Sequence, residues 1–126
     1  MKKIIGVIVL GILFTSCFDP KKGELDVDLT TFKGPVKFEN LCPDKIKEKS
    51  DIKSHIFSMA LNTKYKCKNI ATYKPMSCSF FASPKSGDTI FVTMKGTAEN
   101  AYGVPGEINS SGRIVKGKLL DSIFVY

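Results

Sequence analysis

Only one stretch of this chain repeats its apolar residues at helical spacing, and the residues after it alternate instead. Ile52, Ile56, Met59 and Ala60 recur every three or four residues, which places them on one face of a helix. Asp44 offers an N-cap and Glu48 an acidic residue near the first turn, so the pattern predicts one helix over residues 44–61. Its opposite face carries Lys47, Lys49, Lys53 and Ser54, and His55, the only histidine, lies beside the apolar stripe as a partly buried structural residue. Beyond the helix, Met76, Cys78 and Phe80 alternate with Ser77 and Ser79, and Ile90, Val92 and Met94 alternate with Phe91, Thr93 and Lys95. Residues 83–88 supply the turn between those two runs. A third strand is expected over 107–115 and a last one over 119–126, with a turn at Lys116, Gly117 and Lys118. A helix with one apolar face must bury it, and the alternating runs offer the surface. The predicted fold is therefore α+β, with one N-terminal helix packed on a small antiparallel sheet of about four strands.

The first seventeen residues decide a different question. Lys2 and Lys3 precede an apolar run from Ile4 to Phe14, followed by Thr15, Ser16 and Cys17. That run is too short for a transmembrane helix, which needs about 20 apolar residues, and it has the length of a signal-peptide core. The Phe14-Thr15-Ser16-Cys17 stretch resembles the lipobox cut by signal peptidase II, with Phe14 where Leu is usual. The resemblance implies a signal over residues 1–16 and lipidation of Cys17, with the membrane as the partner reached through the anchor. Phe18 stands where an Asp marks inner-membrane retention, which points to the outer membrane with the domain facing the periplasm. Residues 17–24 read as a lipidated tether and 25–126 as a single small domain. Leu25, Val27 and Leu29 alternate with Asp26, Asp28 and Thr30, and Val36 and Phe38 resume the alternation after Gly34-Pro35, so 25–41 is either a strand or a continuation of the tether.

Charge narrows the partners. The chain has 19 lysines and arginines and 12 acidic residues; without Lys2 and Lys3, 17 basic residues remain and the formal charge is +5. Lys64, Lys66, Lys68 and Lys74 cluster after the helix and form the candidate basic surface for an envelope protein or an anionic envelope polymer. No nucleic-acid partner is expected: the export signal argues against one, Arg113 is the one arginine, and the aromatic residues are not interleaved with the lysines in the way a base-stacking surface would require, with only Tyr65 and Tyr73 among the clustered lysines.

Three cysteines remain after Cys17. Cys42 and Cys67 bracket the predicted helix, about 27 Å long at 1.5 Å per residue, so the expected disulfide joins Cys67 to Cys78 and leaves Cys42 free. No Cys-x-x-Cys spacing exists, and neither a metal nor a cofactor is expected.

Two segments carry a family resemblance. Residues Lys68 to Ser77 (KNIATYKPMS) look like the "LKNPxSYxPxS" segment that follows the helix in a group of small bacterial envelope proteins, and Ala98 to Gly103 (AENAYG) resembles their "AKNAFG" motif. Cys67, Ile70 and Glu99 replace the usual Leu, Pro and Lys. The resemblance implies a lipid-anchored helix-plus-sheet domain without an established activity. Read physically, Pro75 starts a strand, while Asn100 and Gly103 suit a bend, with Tyr102 either packed over it or exposed as a contact beside Asn100. No G-x-S-x-G, H-E-x-x-H or P-loop sequence is present. The first expectation is a non-catalytic binding or accessory module of the envelope; an inhibitor or immunity protein against an envelope-attacking enzyme is the alternative, and a hydrolase stands third.

Overall fold

A computed structural model describes residues 18–82, 85, 87–120 and 123–126. The expected signal segment, residues 1–16, and the expected lipidation site Cys17 lie outside the described residues. The chain builds β1 (Lys22–Asp28), β2 (Lys33–Asn40), one helix α1 (Lys49–Lys66), a 3-10 turn (Ile70–Thr72), β3 (Lys74–Phe81), β4 (Thr89–Glu99), β5 (Pro105–Val115), β6 (Lys118–Leu119) and β7 (Phe124–Val125). Seven strands form one sheet in the order β1-β2-β3-β4-β5-β6, with β7 also pairing β5. Every pair is antiparallel except β2 with β3, where Lys37 faces Ser77 and Asn40 faces Phe80.

This corrects the fold expected from the sequence. The sheet is mixed and has seven strands rather than about four, and the helix follows a hairpin instead of leading the domain. The hairpin closes through a turn that no Gly or Asn announces: Thr30 takes φ 70°, its N–H donates to Asp28 Oδ1 at 2.9 Å, and Leu29 N–H donates to Phe32 O at 2.9 Å. β1 begins at Lys22, so the last three residues of the expected tether lie in a strand. Lys21 O accepts from Asn40 N–H at 2.6 Å, and the Phe18 and Phe38 rings lie 6.1 Å apart.

The helix is also displaced from its expected bounds. Asn40 is buried, donates through Nδ2 to Ile46 O at 2.8 Å and accepts from Cys42 N–H at 3.0 Å, tying 40–46 into a compact loop in which Ile46 is buried. The helical turns therefore start only at Lys49. Asp51 in the first turn and Lys64 and Lys66 in the last complement the helix dipole. The buried positions Ile52, Ile56, Met59, Ala60, Thr63 and Lys64 continue one stripe to the last turn.

That stripe lies on the sheet face formed by Val36, Phe38, Cys78, Phe80, Val92, Met94 and Ile114. Two glycines permit the close packing. A Cβ on Gly112 would meet Met59 Sδ at 3.4 Å and Ile123 at 3.3 Å, and one on Gly96 would stand 2.5 Å from Lys74 O and 3.0 Å from the Tyr73 ring. At Gly96 the backbone itself blocks any side chain. Gly96→Ala should accordingly destabilise by about 1–3 kcal/mol, as overpacking does, measured by urea denaturation; an unchanged midpoint would mean that β3 and β4 do not approach as described.

Tyr73 is fully buried, and its hydroxyl has no hydrogen-bond partner of ordinary geometry among the described residues; burial raises its pKa above the usual phenol value, opposed weakly by the Thr63 side chain. An unsatisfied buried hydroxyl costs roughly 1–3 kcal/mol. Tyr73→Phe is therefore expected to keep or raise the melting temperature, and a clear drop would show that the hydroxyl is bonded.

Candidate functional site

With α1 covering one face of the sheet, no helix covers the other among the described residues. The alternation that sends Val36, Phe38, Cys78, Phe80, Val92 and Met94 inward sends Lys37, Glu39, Ser77, Ser79, Thr93 and Lys95 outward. Register then assembles rows across strands: Lys37, Ser77, Lys95 and Asn109 form one, and Glu39, Ser79, Thr93 and Ser111 the next. Cross-strand neighbours on one face lie about 5 Å apart, so these side chains share one surface. Phe81 and Phe91 stack at 5.5 Å toward one end of that face, with Arg113 opposite Phe91.

The segment 19–22 and the loop after β2 raise walls around these rows. The result is an open groove of about 830 Å³, with Lys21, Lys22, Lys37 and Lys95 around it, Ser77, Ser79 and Thr93 on its floor, and Asp19 and Glu39 as its carboxylates. Among the described residues the one ion pair is Lys33 with Asp28 at 3.7 Å, so none of the four groove lysines has a carboxylate partner there. The three floor hydroxyls are half-buried and make no side-chain hydrogen bond among the described residues. The groove is thus a concentration of unused donors.

The residues singled out from the sequence are placed differently. Lys64 is only 5 % exposed and donates to Leu29 O at 3.0 Å, and Lys66 donates to Ile123 O at 2.6 Å; both ammoniums are used in tying down the chain. Lys68 and Lys74 are exposed at the end of the sheet where β3 begins, so the expected basic cluster is divided between structural and solvent-facing lysines. Asn100 holds its turn through Oδ1, which accepts from Tyr102 N–H at 2.8 Å and Val104 N–H at 3.1 Å, while Tyr102 is 92 % exposed at the tip of the β4–β5 hairpin. The two motif segments meet in space: Glu99 N–H donates to Thr72 Oγ1 at 2.9 Å, beside the Gly96–Tyr73 contact. Their residues hold the fold at that end.

The expected Cys67–Cys78 disulfide is not formed. Cys42, Cys67 and Cys78 are all free and buried, and Cys67 Sγ contacts Thr63 O at 3.4 Å. Cys78 points into the core from β3, and burial raises the pKa of each thiol, assisted at Cys42 by Asp44 and opposed there by Lys45. Burial lowers the pKa of His55, against the pull of Asp51. Among the described residues no cluster of three His, Cys, Asp or Glu side chains is placed to hold a metal, and no helix is long and apolar enough to cross a membrane.

No family model, curated protein or solved structure matches this chain.

The groove residues are not legible as one site in the sequence because they come from four strands and the segment before β1. Each strand's alternation marks Ser77 with Ser79, and Thr93 with Lys95, as one outward face; only the pairing of β2 with β3 brings Lys37 beside them.

The thiol assignment has a direct check. In a Cys17→Ser chain, a thiol reagent should count three cysteines after unfolding in the absence of reductant and react slowly with the native protein. A count of one after unfolding would show that a disulfide forms, and peptide mapping without reduction would then identify its two cysteines.

Proposed function

We propose that this protein is a lipid-anchored envelope module, facing the periplasm, which acts by contact rather than by catalysis and uses the open sheet face as its contact surface. The observation that carries this reading is the position of the fold relative to Cys17. The residue after it is already packed on the domain: Phe18 lies against Phe38, and Lys49 Nζ lies 5.9 Å from the Phe18 ring centroid. A lipid on Cys17 would hold one end of the domain at the bilayer without a long spacer. The loop at residues 41–48 and the last residues of β3 lie at that end, and the β4–β5 hairpin tip lies at the other. A module held this way meets membrane-bound partners at a high effective concentration, so a weak interface suffices.

The groove supports contact rather than turnover. Its donors are lysines and hydroxyls, and among the described residues no side-chain hydrogen bond joins a floor hydroxyl to a base. His55 lies in a separate cleft at the helix, with Lys45, Asp51, Asp88 and Lys116.

Cys17→Ser should abolish incorporation of a fatty-acid analogue, leave the signal uncleaved by signal peptidase II, and change the pattern of membrane fractionation. Continued labelling of the variant would place the lipid elsewhere and remove the basis for this arrangement.

A further inference from the structure

The groove has the makings of an anion site, and we infer that it binds the phosphate of an anionic phospholipid headgroup. Lys21, Lys22, Lys37 and Lys95 contribute four positive charges and Asp19 and Glu39 two negative ones, which leaves a formal +2 around the cavity. Asp19 is already engaged, accepting from Lys21 N–H at 2.9 Å, and Glu39 sits opposite Lys22 across β1 and β2. Glu24 likewise faces Lys37 across the same ladder, but among the described residues no groove lysine lies within ion-pair distance of a carboxylate, and the floor hydroxyls can donate to phosphate oxygens. Ser77 and Ser79 are about 7 Å apart along β3, with Lys95 and Thr93 about 5 Å across from them, dimensions that suit a phosphate bearing a glycerol.

The source of the phosphate follows from where the groove lies, and this step rests on the anchor proposed above. Lys21 is four residues from Cys17, at most about 14 Å of extended chain. The wall of the groove therefore stays within reach of the headgroup layer whenever Cys17 is embedded. Lys53, exposed on α1 across the sheet from the groove, and Lys68, exposed just after α1, serve as the internal control for diffuse attraction.

The test uses the unlipidated chain 17–126 carrying Cys17→Ser, which retains every buried core residue from Leu25 to Ile123. Its flotation is measured with vesicles of phosphatidylcholine and of phosphatidylcholine mixed with phosphatidylglycerol. Binding is expected only with the anionic lipid. A lysine at an anionic surface contributes about fivefold, so Lys37→Gln/Lys95→Gln should weaken binding about 25-fold. Ser77→Ala/Ser79→Ala/Thr93→Val, which leaves the charge unchanged, should also weaken it, and Lys53→Gln/Lys68→Gln should not. Melting temperatures of the variants show whether each remains folded, and chemical shifts along β3 and β4 report groove occupancy independently. Equal losses from the two lysine pairs, or wild-type binding by the hydroxyl variant, would overturn the inference in favour of diffuse attraction. Titration with inorganic phosphate and sn-glycerol 3-phosphate forms the second arm: groove shifts with these but no vesicle binding would overturn the lipid assignment. Since every arm uses unlipidated protein, failure here is distinct from failure of Cys17 to be acylated.

Discussion

The parallel pairing of β2 with β3 is the constraint on which the rest of the structure depends. Parallel neighbours cannot be joined by a tight turn; the chain must cross from one end of the sheet to the other, and α1 performs that crossing. Once α1 lies over one face, its stripe from Ile52 to Lys64 and the inward residues of β2 to β5 form the core. The opposite face is left to solvent. There, the same pairing that places Phe38 beside Cys78 inside places Lys37 beside Ser77 outside. Core and groove are two sides of one register, since a one-residue slip would exchange them.

The end of the sheet away from residue 18 is held by close approach and by main-chain hydrogen bonding. Gly96 lies against the backbone of Lys74, Thr72 Oγ1 accepts from Glu99 N–H, and Asn100 organises the hairpin turn. Lys64 has a comparable structural role. Its ammonium caps Leu29 O from within the protein and lies 5.9 Å from the Tyr65 ring centroid, joining the last helical turn to the β1–β2 turn. A buried cation bonded to a carbonyl fixes the angle of the helix over the hairpin and is unavailable to a partner.

Much of the core was legible because its period is short-range. Ile52, Ile56, Met59 and Ala60 mark the helical face, and the inward residues of β3 and β4 follow simple alternation. The stripe also extends through Thr63 and Lys64, so the burial of Lys64 was latent in the same spacing once the helix reached Lys66. The helix start was not legible, because it depends on Asn40 bonding a carbonyl six residues onward. Nor was the leading hairpin, whose turn rests on Thr30 at positive φ where Asn-Gly or Asp-Gly would have signalled it. The groove belongs to the same class: its residues alternate visibly within each strand, but strand order and the parallel register that unite them are properties of the whole sheet.

If the fold begins directly at a lipid anchor on Cys17, the end bearing the groove wall faces the bilayer and the β4–β5 hairpin tip points away. The chain contains no tryptophan, which allows one to be introduced as a depth probe. Leu41→Trp and Tyr102→Trp both replace exposed residues, at opposite ends of a sheet whose 11-residue strands span roughly 35 Å. In bilayers with spin-labelled headgroups, the lipidated protein should show strong quenching of the tryptophan at position 41 and little at position 102. Equal quenching at the two positions, or the reverse order, would contradict the account.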